Sequence, residues 1–286
     1  MSSDVKTYSL SPSSLSLFLS CQRKYYHKKI AKTEIDTDID EDTEALKIGK
    51  AFHKVLEDCR HELSGVSYQK VWATVWEHEL DADEYTPMIM AMLSKYKIMH
   101  EKSKLKATHF EIEIATPTFI GYVDVILQDD SGGWFIGDMK TSAAYYSNIA
   151  ASLPRNPQLN LYASHVGLLG SQLGLAPDKF KGCRYRITTK SKLIRKKTES
   201  AEEYIARMCL GIKSVDFIIP KELMAVEDIR GLHNSALEYI TSHLNPDEYL
   251  QNLGNCTQYF KPCEFWSKCH GRNYTTISLD SVSADD

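Results

Sequence analysis

The sequence predicts an α/β fold, a single domain whose strands are preceded and followed by amphipathic helices. Three features carry that expectation. An alternating apolar run, FEIEIA, begins just after Thr108. A hairpin pattern spans Thr118–Ser142, TFIGYVDVILQDDSGGWFIGDMKTS. At Asn156-Pro157 a capping residue precedes proline at the first helical position, which starts a helix.

Taken in order, Ser11–Ile30 reads as a helix with serine capping signals, with Leu15, Phe18, Leu19 and Tyr26 near one face and Cys21 in its middle. The acidic residues from Glu34 to Glu44 follow. They lack calcium-loop spacing and a central glycine, so they read as a solvated loop. Apolar periodicity predicts helices near 43–63, 68–80 and 87–100, the first of which places His53 and Glu57 one turn apart on a shared face. The runs Phe119–Leu127 and Trp134–Met139 flank the turn cluster Gln128–Gly133, a hairpin signature. The helix that starts at Asn156 sets Gln158, Tyr162 and His165 on one face. A strand at Cys183–Thr189 and two last helices, near 201–217 and 226–243, complete the pattern, and the polar residues after Tyr274 read as a frayed tail.

Composition narrows the function. A net charge of −4 excludes a uniformly basic protein, so nucleic-acid binding would need a local patch. No apolar run approaches a membrane span and the N-terminus lacks an apolar signal core, which makes the cytoplasm the expected location. Seven cysteines make an odd count for a disulfide framework; in a reducing compartment they bind metal or are simply buried.

The hairpin places two carboxylates and a lysine together. With a turn centred near Ser131, Asp124 and Asp138 lie opposite each other, where cross-strand Cβ atoms are roughly 4.5–5.5 Å apart. Strand alternation points Lys140 the same way as Asp138. Two like charges among Val123, Val125, Ile126, Phe135 and Ile136 persist if a cation sits between them, and oxygen ligands suit Mg²⁺ or Mn²⁺. The other reading is a solvated hairpin in which Lys140 neutralises a surface carboxylate.

Near the C-terminus, Cys256, Cys263 and Cys269 are separated by six and then five residues, without a CxxC knuckle. Three thiols need a fourth ligand to close a metal or iron–sulfur site, and Cys21 is the candidate that would tie the two chain ends together. Buried or free cysteines are the alternative. Cys59, Cys183 and Cys209 sit in apolar settings as small core residues. The segment 179–197 is rich in lysine and arginine and has no acidic residue. Arg184, Tyr185, Arg186, Lys190 and Lys192 there suit a phosphate backbone and a stacked base, or else a lysine-defended strand edge.

The ordered set SPSSLSLFLSC, IGKAFHKVLE, GYVDVI, IGDMKTS, QLNLY and the closing cysteines extends across nearly the whole chain. It resembles the PD-(D/E)xK nuclease superfamily, specifically its RecB-like branch with an iron–sulfur cluster, which includes AddB-type nuclease domains, CRISPR-adaptation nucleases and the exonuclease V family. The resemblance implies a restriction-endonuclease-like core, a central mixed sheet flanked by helices, with helical additions. It implies a Mg²⁺- or Mn²⁺-dependent DNA exonuclease of recombination or repair, phage or bacterial, acting on linear single- or double-stranded DNA. A helicase or recombination partner is part of that expectation.

By position, the resemblance implies that His53, Asp124, Asp138 and the Met139 carbonyl hold the metal. Lys140 would activate the attacking water, and Gln158 and Tyr162 would stand beside the site. Glu57, Glu111 or Glu113 would assist. Cys21, Cys256, Cys263 and Cys269 would bind a 4Fe-4S cluster joining the two ends of a single domain over residues 1–273, with 274–286 as a flexible tail. Two departures from the family pattern are the Val123 before Asp124, where proline is common, and the wide first cysteine gap. The rival function is a non-catalytic DNA-binding or recombination-accessory module that keeps the nuclease fold.

Overall fold

The computed structural model describes residues 8–34, 43–60, 63, 66–143, 148–243, 245–258 and 261–270. Most of the acidic loop and the whole of the C-terminal tail lie outside them. The chain divides into two compact units. One comprises residues 1–15 and 41–241, the other residues 16–40 and 242–286.

The larger unit is built on a five-stranded sheet in the order β1-β2-β3-β4-β5, with β1 at Lys106–Ala115, β2 at Ile120–Gln128, β3 at Trp134–Ser142, β4 at Phe180–Thr189 and β5 at Ser214–Pro220. Only the β3–β4 pair is parallel, so the sheet is mixed, the α/β core that the sequence leads one to expect. Parallel neighbours need a crossover. Here it runs through three short helices, Ile149–Ser152, Pro157–Ala163 and Val166–Leu173. The middle one starts as expected, with the Asn156 side chain accepting from the Leu159 N–H. The β2–β3 turn is closed by Asp129, whose carboxylate accepts from the N–H groups of Ser131 and Gly133.

Helices cover both faces. On one, Glu44–Asp58, Tyr68–Glu77, Ala82–Lys102 and Ala201–Gly211 share a core that includes Phe52, Val75, Met92, Met208 and, from β3, Met139. The Ala82 helix begins earlier than its periodicity suggested. Asp81 caps it by accepting from Asp83 and Glu84 N–H groups, and Pro87 is accommodated inside it. On the other face, Pro157–Ala163 packs against β3 and β4, and Val226–Ser242 brings His233 to the Leu10 carbonyl.

One expected helix is shorter than its pattern. The stretch 201–217 is a helix only to Gly211; Ser214–Pro220 then pairs antiparallel with β4 as an edge strand. Its Val215, Ile218 and Ile219 favour a strand, and the ladder to β4 runs from Ser214 to Pro220.

The smaller unit contains Gln22–Tyr25, the one-turn π-helix Tyr26–Ile30, a two-stranded ribbon at Thr257–Gln258 and Lys261–Pro262, and the short helix Trp266–His270. The expected continuous N-terminal helix is broken: Pro12–Ser20 ends at Cys21, which is extended (φ −162°, ψ 110°). The Ser20 carbonyl accepts instead from the side-chain amides of Asn252 and Asn255, and the Arg23 N–H donates to the Leu250 carbonyl. Distant hydrogen bonds replace the local helical ones. Among the described residues, no helix is long and apolar enough to cross a membrane.

Candidate active site

The β2–β3 register pairs Val125 with Gly137, so one step further sets Asp124 opposite Asp138. Asp138 is 1% exposed; its Oδ1 accepts from Lys140 Nζ at 2.8 Å, and its Oδ2 is buried with no hydrogen-bond partner among the described residues. Asp124 Oδ2 accepts from the Met139 N–H at 2.8 Å, which ties the first carboxylate to the strand that bears the second. Lys140 is the solvent-facing member, 39% exposed at its side chain.

His53 comes from the Glu44–Asp58 helix and stands with Nδ1 3.9 Å from Asp124 Oδ2. The close approach of that helix depends on Gly49, one turn earlier, where a Cβ would meet Thr141 Oγ1 of β3 at 3.0 Å. Burial, helped by the Lys140 charge, pushes the His53 imidazole down to about 4, so the ring is neutral at physiological pH and keeps a lone pair for a cation.

The carboxylates are held in an environment that opposes their charge. Burial raises Asp138 to about 6; Lys140 works against the shift and Asp124 adds to it. Asp124 is raised as well, first by burial, with Lys140 and the Met139 N–H opposing. A buried acceptor without a donor, beside a second carboxylate and a neutral imidazole, is the environment that a divalent cation would relieve. Among the described residues no three His, Cys, Asp or Glu side chains stand close enough together to form a ready-made metal site. The ligands that fit a cation here are His53, Asp124, Asp138 and the Met139 carbonyl, and the last of these is backbone.

Gln158 and Tyr162 are joined to one another and to β2. Gln158 Nε2 donates to Tyr162 Oη at 3.1 Å, and that hydroxyl donates to the Tyr122 carbonyl at 2.6 Å, two residues before Asp124. Gly121 makes room for the ring, since a Cβ there would fall 2.7 Å from Tyr162 Cε1. Glu111 falls opposite Asp124 on β1 with a left-handed backbone (φ 47°), and its carboxyl is raised to about 7 by burial, then by Asp124 and Glu57. Glu57 pairs with Lys54, and Glu113 lies on the exposed side of β1.

The basic residues are placed differently from the sequence expectation. Arg184 and Arg186 are 4% and 2% exposed on β4, an interior strand, and both pair with Asp216; Tyr185 between them is buried too. Charge alone suggested an accessible patch, but the strand carries these guanidinium groups into the fold, where a carboxylate of β5 meets them. Lys190 donates to the Ala45 carbonyl, and Lys192 is exposed.

In the smaller unit Cys21, Cys256, Cys263 and Cys269 line a single cavity together with Phe265 and Trp266. The Cys263 N–H donates to the Cys256 carbonyl at 2.7 Å. Burial raises the Cys269 thiol to about 11, Arg23 opposes this, and the other three sulfurs add to it. Cys256 and Cys263 are raised likewise, chiefly by burial. Of the other cysteines, Cys183 is buried, and Cys59 and Cys209 donate to the Leu56 and Ala91 carbonyls, as small interior residues do.

Two carboxylates and a lysine, with a neutral histidine 3.9 Å from one of the carboxylates, are the groups that cation-assisted hydrolases of phosphate esters use. The family model of the PD-(D/E)XK nuclease superfamily matches residues 9–270, and the chain belongs to that superfamily. Membership implies nuclease activity on DNA, and these nucleases use divalent metals. No curated protein matches the sequence.

Proposed function

We propose that the chain is a Mg²⁺- or Mn²⁺-dependent DNA exonuclease. The observation that carries this is the convergence of Asp124, Asp138 and Lys140 around the unpartnered Asp138 Oδ2. His53, Asp124, Asp138 and the Met139 carbonyl would hold a divalent cation, which would supply Lewis-acid polarisation of the scissile phosphate. The chain's own groups do the rest. Lys140 is anchored by Asp138 yet open to solvent, so its ammonium orients the attacking water and stabilises charge that develops on the phosphate. The Met139 N–H fixes Asp124, and the Gln158–Tyr162 pair holds the backbone of β2 beneath it.

The exonuclease assignment and a role in recombination or repair are supported by the ordered motifs of the RecB-like branch. The same resemblance, with four cysteines around one cavity, supports a structural 4Fe-4S cluster. It would link the segment at Cys21 to the C-terminal one, within a domain over residues 1–273.

The deciding experiment uses end-labelled linear and closed-circular DNA, single- and double-stranded, with Mg²⁺ or Mn²⁺, beside Lys140→Ala. Metal-dependent loss of linear DNA alone, absent in the variant, is the expected result. Nicking of closed circles would replace exonuclease by endonuclease. No cleavage by folded, metal-supplemented protein would favour the accessory-module reading and direct the search to a missing helicase or recombination partner.

A further inference from the structure

Between β4 and the Ala201–Gly211 helix the chain makes a loop, residues 190–200, that is pinned from the helix side. The Tyr204 hydroxyl donates to the Leu193 carbonyl at 2.6 Å, and Arg207 Nη2 donates to the Ile194 carbonyl at 2.9 Å. Arg207 also holds both oxygens of Glu199, from Nε at 2.6 Å and from Nη2 at 2.7 Å. Glu199 in turn accepts from the Lys196 N–H through its carboxylate and from Arg195 Nε through its carbonyl. The Leu193 N–H donates to Ser191 Oγ at 3.2 Å. With its carbonyls tied inward, the loop turns its side chains outward.

Those side chains are of two kinds. Ile194 is 85% exposed and Leu193 41%. Lys192, Lys196 and Lys197 beside them are exposed, and their ammonium groups have no hydrogen bond or ion pair among the described residues. From Lys190 to Thr198 the chain carries five basic residues and no acidic one, although its net charge is −4. The Glu199 carboxylate that follows is matched by Arg207. The loop also adjoins the candidate active site. In the parallel ladder Lys140 is level with Ile187 and Ser142 with Thr189, and the Lys190 N–H donates to the Ser142 carbonyl at 2.7 Å. The chain therefore leaves the sheet two residues beyond the level of Lys140, about 7 Å along the strand.

We propose that this loop receives the end of a DNA strand, with Lys192, Lys196 and Lys197 on phosphates and Ile194 against an unstacked base. Unpaired ammonium groups concentrated on one loop of a net-acidic protein suit a phosphate backbone. The apolar tip decides which part of the DNA it meets. Within a continuous duplex each base face is covered by its neighbour, so an isoleucine finds a free face only at an end or an unpaired base, or by forcing a step open. Covering a side chain that water otherwise surrounds then adds to affinity at that place alone. The same charges and tip would suit an anionic lipid surface, but the loop borders the strand that carries Asp138 and Lys140, which favours DNA. The inference rests on the nuclease reading for its ligand and adds to it the selection of ends.

The test reads binding and not cleavage, with the full chain and Ca²⁺ in place of Mg²⁺. Affinities for a short blunt-ended duplex and for a closed-circular duplex are compared over a range of salt. Combined Lys192→Ala, Lys196→Ala and Lys197→Ala should weaken binding to both and lower the slope of log K against log salt by about 2–3. Ile194→Ser should leave the slope and the affinity for circles unchanged and lower the affinity for ends by about tenfold. All four side chains are exposed, so the circular-dichroism spectrum should not change. An unchanged slope in the lysine variant would overturn the phosphate contacts. An Ile194→Ser protein that binds ends as well as before, or loses ends and circles equally, would overturn end selection. Vesicles containing phosphatidylserine that bind the unmodified chain but not the variants, with DNA binding intact, would assign the loop to a lipid surface instead. If the variants behave as expected and the unmodified protein cleaves nothing with Mg²⁺ or Mn²⁺, the nuclease reading fails and the loop assignment stands.

Discussion

Replacing Asp138 by asparagine should abolish cleavage and at the same time stabilise the metal-free protein. The magnitude follows from the carboxyl's surroundings. Asp138 is 1% exposed and is raised from 3.8 to about 6, so above pH 6 the folded chain carries a charge that the unfolded chain bears more easily. The shift corresponds to about 3 kcal/mol. Asparagine is neutral but recovers less than that, because it gives up the charged hydrogen bond from Lys140; about 1–2 kcal/mol is the expected net gain. The sign sets the window. A folded value above the unfolded one means that Asp138 favours the fold while protonated, and this contribution fades as pH rises from 3.8 through 6. Thermal unfolding in chelator should therefore give Asp138→Asn a higher midpoint at pH 8, by roughly 2–4 °C per kcal/mol, and a gap that closes towards pH 4. A midpoint at pH 8 equal to or below that of the unmodified protein would refute the reasoning, as would a gap insensitive to pH.

Four further outcomes are expected. Lys140→Ala should lower single-turnover cleavage by at least about 10²–10³-fold, because it removes the ammonium that Asp138 anchors at the site, while the circular-dichroism spectrum is unchanged. Mn²⁺ affinity, followed by electron paramagnetic resonance, should be flat above pH 6 and fall by about tenfold per unit below it, since Asp138 must lose its proton to act as a ligand; an affinity unchanged at pH 5 would remove Asp138 from the ligand set. Tyr162→Phe removes the hydroxyl that donates to the Tyr122 carbonyl and should cost about 0.5–1.5 kcal/mol in denaturant unfolding. Anaerobically purified protein should be brown and contain iron, and Cys263→Ser should lose both the colour and stability; stoichiometric zinc without iron would exclude the cluster.

What was legible in the sequence was whatever short-range pattern fixes. The hairpin could be read because its turn and period-two alternation set the register by themselves, and the register sets Asp124 against Asp138. The Asn156-Pro157 cap was equally local. What escaped depended on distant partners. The break at Cys21 is made by Asn252 and Asn255, more than two hundred residues away. The interior position of Arg184 and Arg186 depends on Asp216 in an edge strand that its neighbouring helix concealed. Gly49 and Gly121 sat inside quoted motifs, yet their roles appear only when Thr141 and Tyr162 are found against them.

The charges at the site also separate the two functional readings. Asp124 and Asp138, when ionised, outweigh the Lys140 ammonium by one unit, and His53 is neutral, so the metal-free face repels a phosphate backbone. One divalent cation turns that unit of negative charge into a unit of positive charge. A module that only bound DNA would be hindered by this pair and would bind better without it, as with Asp138→Asn. A nuclease gains from the pair, because the attraction to phosphate is then strongest where the metal is. DNA binding measured with Ca²⁺, which supplies the charge and holds back cleavage in many metal-dependent nucleases, distinguishes the two. For a nuclease, Ca²⁺ should tighten binding to the unmodified protein and have little effect on Asp138→Asn. Binding that is insensitive to the cation in both would mean that the carboxylates do not meet the backbone of the DNA.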